Sequence, residues 1–166
     1  FGTHKMKIFA AQNAPFTLLY DSWKSGKRAL AELEPAEGRR QAEVILAKVL
    51  SNRKPPYSLA GGLFDALSDT GGDMFLATND QIVKWIMVVR ELEGYFLYPA
   101  AACAVQALYQ AVSEGKVKKD EVIMLNCTGG GFMEAMSKGY VLKDPDLVLD
   151  PDLPADEVIE KVSALF

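Results

Sequence analysis

The run Glu121-Val-Ile-Met-Leu-Asn126 leads through Cys127 to the hydroxyl of Thr128 and then at once to Gly129, Gly130 and Gly131. Residues of these types in this order are suited to holding a ligand. In an open α/β sheet, ligands sit just beyond the carboxyl ends of the strands, so a short polar side chain such as Thr128 is placed to touch one. The glycines tolerate positive φ and let bare backbone approach a bound group closely. A strand followed by a plain glycine-rich turn has the same pattern, so the run alone leaves both readings open. A dinucleotide signature is not among them. Gly129-Gly-Gly131-Phe-Met-Glu134 departs from GxGxxG at its last position, and no Walker lysine stands nearby.

Such a strand end needs a scaffold, and the chain predicts one. Met6–Gln12 is a short apolar run with a polar exit, and Pro15 allows a helix from about Phe16. Ala42, Ile45, Leu46, Val49 and Leu50 recur at helical spacing, predicting one helix over 36–50, stopped by Pro55-Pro56. The loop 51–62 follows, then a short helix over 62–67 and a turn at Asp69–Gly72. A second strand is predicted over 73–78 and leads into a helix capped by Thr78, Asn79 or Asp80 and ended by Gly94. Pro99 opens another helix, which Gly115 closes. The third strand is the 122–126 run, and a last helix is expected over 155–165, with Val158, Val162 and Leu165 as its packing face. Strands alternating with helices predict an α/β fold of three layers, a parallel sheet with helices on both faces. Three strands are few for a parallel sheet, which suggests part of a larger one.

The composition excludes several classes. A net charge of −4 and a pI near 5.1 give no broad positive field, so nucleic acid is not an expected partner. No apolar stretch reaches the roughly 18 residues of a membrane span. Cys103 and Cys127 have no CxxC spacing and no neighbouring histidine, so neither zinc nor a disulfide framework is expected and a reducing cytoplasm fits. Asp144-Pro-Asp146 and Asp150-Pro-Asp152 lack the glycine and terminal glutamate of a calcium loop, and no metal site is expected there. The single histidine, His4, lies at the frayed start, which argues against histidine-based catalysis.

Several further segments agree in order. Asn52-Arg-Lys-Pro-Pro-Tyr57-Ser-Leu-Ala-Gly-Gly62-Leu-Phe-Asp-Ala-Leu67, then Glu93-Gly94 with Pro99-Ala-Ala-Ala102, then Leu125-Asn-Cys-Thr-Gly-Gly-Gly131 resemble the carboxyl-terminal half of pyridoxal-phosphate enzymes of fold type II, threonine synthase branch. Within that branch the likeness is greatest to the cysteate synthases. Met6–Trp23 also matches, so the resemblance covers nearly the whole chain.

The resemblance implies pyridoxal 5'-phosphate as cofactor, with Thr128 at its ring nitrogen and Asn52 and Gly129 beside it. It also implies that Arg53 and Tyr57 border the substrate entrance, where Arg53 could hold a phosphate or sulfonate by a bidentate contact. The family's Schiff-base lysine and phosphate loop belong to its upstream half, and no lysine here stands in a Ser-Phe-Lys context. No catalytic residue is therefore expected in this chain. Residues 1–166 would be the C-terminal portion of the large domain: a body to about 150, then a tail and helix over 151–166, inactive without the N-terminal half. The implied reaction replaces the phosphate of O-phospho-L-serine by sulfite, a step toward coenzyme M, in a homo-oligomeric cytoplasmic enzyme. The alternatives are threonine synthase chemistry on O-phospho-L-homoserine and a non-catalytic α/β ligand-binding piece. One departure stands out: Tyr98 precedes Pro99 where many relatives carry glutamate.

Overall fold

A computed structural model describes residues 6–141 and 143–166, so His4 lies outside the described residues. The chain divides into two compact units, 1–133 and 134–166. In the first unit, β1 (Phe9–Asn13) pairs in parallel with β2 (Asp73–Ala77), in a register that sets Ala11 opposite Phe75. Between them run α1 (Leu18–Lys24), α2 (Pro35–Val44), a 3-10 turn (Lys48–Leu50) and α3 (Leu63–Thr70). After β2 come α4 (Asn79–Glu93) and α5 (Pro99–Ser113). The second unit is reached through α6 (Phe132–Ser137) and carries α7 (Ala155–Ser163).

The period of two along β1 separates its two faces. Phe9 and Ala11 point toward α5, where Phe75, Ala107 and Ala111 close a buried cluster. Gln12 points the other way, and its Oε1 accepts the backbone N–H groups of Leu19 and Tyr20 at the start of α1, at 3.0 and 3.1 Å. Helices thus cover both faces of the sheet, the three-layer α/β arrangement expected. Ala77, Ile82, Ala102 and Cys103 form the apolar joint of sheet, α4 and α5. Burial raises the Cys103 thiol to about 12, so this cysteine is an inert core residue.

Local signals hold at the element ends. Thr78 caps α4 in a full capping box, accepting the Gln81 N–H while the Gln81 side chain accepts the Thr78 N–H. Gly94 ends the helix in the left-handed conformation.

Three expectations are corrected. The single helix over 36–50 is broken: Ile45 is extended, at φ −71° and ψ 147°. Side chains of other elements capture its backbone. Asn79 Nδ2 donates to Val44 O at 2.8 Å, Asn79 Oδ1 accepts the Leu46 N–H, and Asn13 Oδ1 accepts the Ala47 N–H. Ile45 is thereby driven into a cluster with Phe16 and Leu18, whereas Val49 is left 80% exposed.

The strand expected over 122–126 does not form, and the described sheet has only two strands. The run takes no regular secondary structure and has no backbone partner among the described residues, with Val122 and Met124 exposed; it lines a cleft whose opposite wall includes Phe9 and Ala11 of β1. The third correction concerns α7 (Ala155–Ser163): Val162 within it and Leu165 just beyond it remain partly exposed, and no residue of α7 is buried.

Candidate functional site

The glycine-rich turn is held in place by the segment that leads into α5. Tyr98 N–H donates to Gly129 O at 3.1 Å and Gly131 N–H donates to Phe96 O at 3.0 Å, with Leu97 and Gly130 forming an antiparallel bridge between them. This contact accounts for two of the glycines. A Cβ on Gly130 would lie 2.5 Å from Phe96 O and 2.6 Å from Tyr95 Cε1, and one on Gly129 would lie 3.0 Å from Tyr98 Cδ2. Gly131 adopts φ 74°, a left-handed conformation that favours glycine. The sequence pointed to close approach by a ligand, and the close approach seen is by the aromatic segment 95–98. Only the clustering of Tyr95, Phe96 and Tyr98 before Pro99 hinted at it.

Thr128 stands at the open end of this turn. Its side chain is exposed and makes no hydrogen bond with any described residue. A hydroxyl bonded to its own turn would have been spent locally. Here both its donor and its acceptor capacity are available, on backbone fixed one residue later.

The 51–62 loop is built from inside. Tyr57 is fully buried, its ring edge-on to Phe64 at 5.8 Å and its hydroxyl donating to Lys27 O at 2.9 Å. Burial raises the phenol above its ordinary value. In this conformation Tyr57 anchors the loop from beneath and does not face solvent. Asn52 Oδ1 accepts the Lys54 N–H at 2.9 Å, which shapes the turn and leaves the amide NH2 as a donor. Arg53 is exposed and forms no ion pair with any described residue, and its stem passes over Gly38 of α2, where a Cβ would meet Arg53 Cδ at 3.1 Å. An unpaired guanidinium on an outer loop is free to take an anion. No hydrogen bond or ion pair joins Thr128 to Asn52, Arg53 or Tyr57 among the described residues.

A third polar centre went unread in the sequence. Asp73, at the head of β2, accepts from Trp23 Nε1 and Lys24 Nζ, both at 2.7 Å, and from Lys116 Nζ at 2.6 Å. Burial works to raise its carboxyl, but bonds from Lys116, Lys24, Trp23 and the Met74 N–H outweigh it and hold the group far below the usual carboxylate range. The cluster ties α1, β2 and the end of α5 together and has no free charge to offer a substrate. Among the described residues there is no group of three or more histidine, cysteine or acidic side chains able to hold a metal, and no helix is long and apolar enough to cross a membrane.

A cysteate synthase of Methanocella paludicola is 39% identical over 166 residues, covering 98% of this chain. The chain is homologous to the cysteate synthases. The cysteate synthase of Methanosarcina barkeri is 39% identical over 90% of the chain, and that of Methanosarcina acetivorans 36% identical over 95%. The chain spans only 38 to 39% of the length of these cysteate synthases. No protein-family model matches it.

Proposed function

We propose that this chain is the C-terminal part of a pyridoxal-phosphate-dependent cysteate synthase, which exchanges the phosphate of O-phospho-L-serine for sulfite to give L-cysteate and inorganic phosphate. The observation that carries the reading is the identity of 39% to a cysteate synthase along 98% of the chain. Thr128 fits the cofactor as found: an unbonded hydroxyl on a turn pinned to the entry of α5.

Pyridoxal phosphate, when bound, supplies the electron sink for bond changes at the α- and β-carbons of an amino acid. The work of this chain is to set the polarity and position of that group. The Thr128 hydroxyl would serve the ring nitrogen as a neutral partner, where a carboxylate would keep the ring protonated. By that neutrality Thr128 would favour elimination and replacement at the β-carbon over transamination. Gly129 keeps the approach to Thr128 free of side chain, and the amide of Asn52 supplies a further donor at the cofactor's edge. Arg53 binds the phosphate of the incoming substrate or the sulfonate of the product, and Tyr57 holds the Arg53 loop in place from within. The proton-transferring lysine and the phosphate-binding loop come from the rest of the longer protein, and the chain by itself is inactive. The enzyme is a cytoplasmic homo-oligomer.

The test is an assay of the full-length protein with O-phosphoserine plus sulfite and, separately, with O-phosphohomoserine in water. Sulfite-dependent cysteate formation is expected. Phosphate release from phosphohomoserine alone would overturn the reading in favour of threonine synthase chemistry.

A further inference from the structure

Gly38 is the buried residue of α2, and nothing in its backbone calls for a glycine. It lies inside the helix without positive φ, and its N–H donates to Glu34 O at 2.9 Å as in any helical turn. A glycine inside a helix is less favourable than alanine, so the reason for this one lies in the space beside it. A Cβ at Gly38 would lie 3.0 Å from Leu33 Cδ2, 3.3 Å from Leu33 Cγ and 3.1 Å from Arg53 Cδ. Leu33 is backed by the cluster of Phe16, Leu18 and Ile45 and has little room to withdraw. Arg53 is exposed, so its side chain is the one that would move. The acids at this end of α2 are engaged elsewhere. Glu34 Oε2 accepts the Ala36 and Glu37 N–H groups at 2.8 and 3.0 Å, and Glu37 pairs with Arg40 and accepts from Gln41 Nε2. The Arg53 stem is thus bedded on the helix while its guanidinium keeps its charge for another anion.

We infer that Gly38 is a positioning residue: by lacking a side chain it gives the Arg53 stem its bed on α2 and so sets where the guanidinium meets the phosphate or sulfonate of the substrate. The inference rests on the reading of Arg53 as an anion-binding residue of a cysteate synthase. Gly38 itself touches no substrate. A guanidinium grips an anion by two parallel N–H groups in a fixed fork, so its hold depends on aim as well as on charge. Pushing Cδ away from the helix turns that fork at the end of a lever. A bedded stem has also given up part of its rotamer freedom before any ligand arrives, and that ordering does not then count against binding. Alanine at position 38 removes both advantages and leaves the charge in place.

The test is a double-mutant cycle in the full-length protein, read by equilibrium titration with O-phospho-L-serine and, separately, with inorganic phosphate, alongside the steady-state KM for O-phospho-L-serine. Gly38→Ala is expected to weaken both ligands about threefold or more and to raise KM by a similar factor, with kcat held within about twofold. Its melting temperature should be no lower than that of the unaltered protein, because alanine favours the helix. Arg53→Ala should weaken both ligands roughly tenfold or more, and adding Gly38→Ala to it should change nothing further. A loss from Gly38→Ala that persists in the Arg53→Ala protein would show that the helix acts by another route and would overturn the inference. Unchanged binding in Gly38→Ala, or a Gly38→Ala protein that does not fold, would overturn it too, with cysteate formation by the unaltered protein leaving the functional reading intact. Coupling of the two positions in a protein that makes no cysteate would sustain the positioning role and sink the functional reading.

Discussion

Asn13 Nδ2 donates to Asn79 Oδ1 at 3.2 Å, joining the end of β1 to the start of α4 across 66 residues of chain. Around this pair the backbone of 44–47 is caught from both sides, through Val44 O, the Leu46 N–H and the Ala47 N–H. The break at Ile45 is thus imposed from a distance.

Replacing Asn13 tests this directly. Asn13→Ala leaves the buried Ala47 N–H without its acceptor and Ala77 O without one of its donors. Unsatisfied buried groups cost about 1–3 kcal/mol each, so a loss of about 2–4 kcal/mol is expected in urea denaturation. A change below about 0.5 kcal/mol would show that the pair does not hold the break.

The Asp73 cluster predicts a pH dependence. Its native carboxyl lies below the ordinary aspartate value of about 3.9, so ionisation favours the folded state. That contribution is complete above the unfolded value and is lost as pH falls from about 4 through the lower native value. Asp73→Asn should therefore be less stable at pH 7 by about 1–3 kcal/mol, the range for hydrogen bonds to charged groups. Denaturation midpoints of the two proteins should begin to draw together as pH falls below about 4 and meet only below the native value of the Asp73 carboxyl.

Gly130 is the position where the turn accepts no side chain. Gly130→Ala forces a Cβ onto Phe96 O, a backbone atom, and should part the turn from residues 95–98. In the full-length enzyme a displacement of this kind should lower kcat by up to roughly 100-fold, with the visible spectrum of the bound cofactor altered. An unchanged spectrum and rate would separate the turn from the cofactor.

Thr128 carries the chemical prediction. Its hydroxyl has no structural bond to lose, so Thr128→Val should leave stability within about 0.5 kcal/mol while lowering turnover of the full-length enzyme about tenfold or more. Thr128→Ser keeps the hydroxyl and should restore most of the rate. Equal rates for valine and threonine would remove the residue from the site.

Legibility in the sequence followed the range of the forces involved. The Thr78 capping box, the Gly94 stop and the Pro99 start depend on neighbours a few residues away, and the sequence placed them. The break at Ile45 depends on Asn13 and Asn79, distant in sequence, so helical periodicity alone misread it. The 122–126 run has the composition of a buried strand but no partner beside it, and composition does not supply a partner. Tyr57 was singled out for its loop, yet its ring points inward because Phe64 and Lys27 O receive it there. Thr128 was singled out from its place after an apolar run, and the aromatic segment that braces its turn was not.

The bare edge of β1 also bears on handling the molecule. A strand edge unpaired among the described residues, beside the exposed apolar run Val122 to Leu125, is a template for pairing between molecules. Concentration then becomes a structural variable: preparations of the 166-residue chain kept dilute stay open for study, and crowded ones move toward sheet-bonded aggregates.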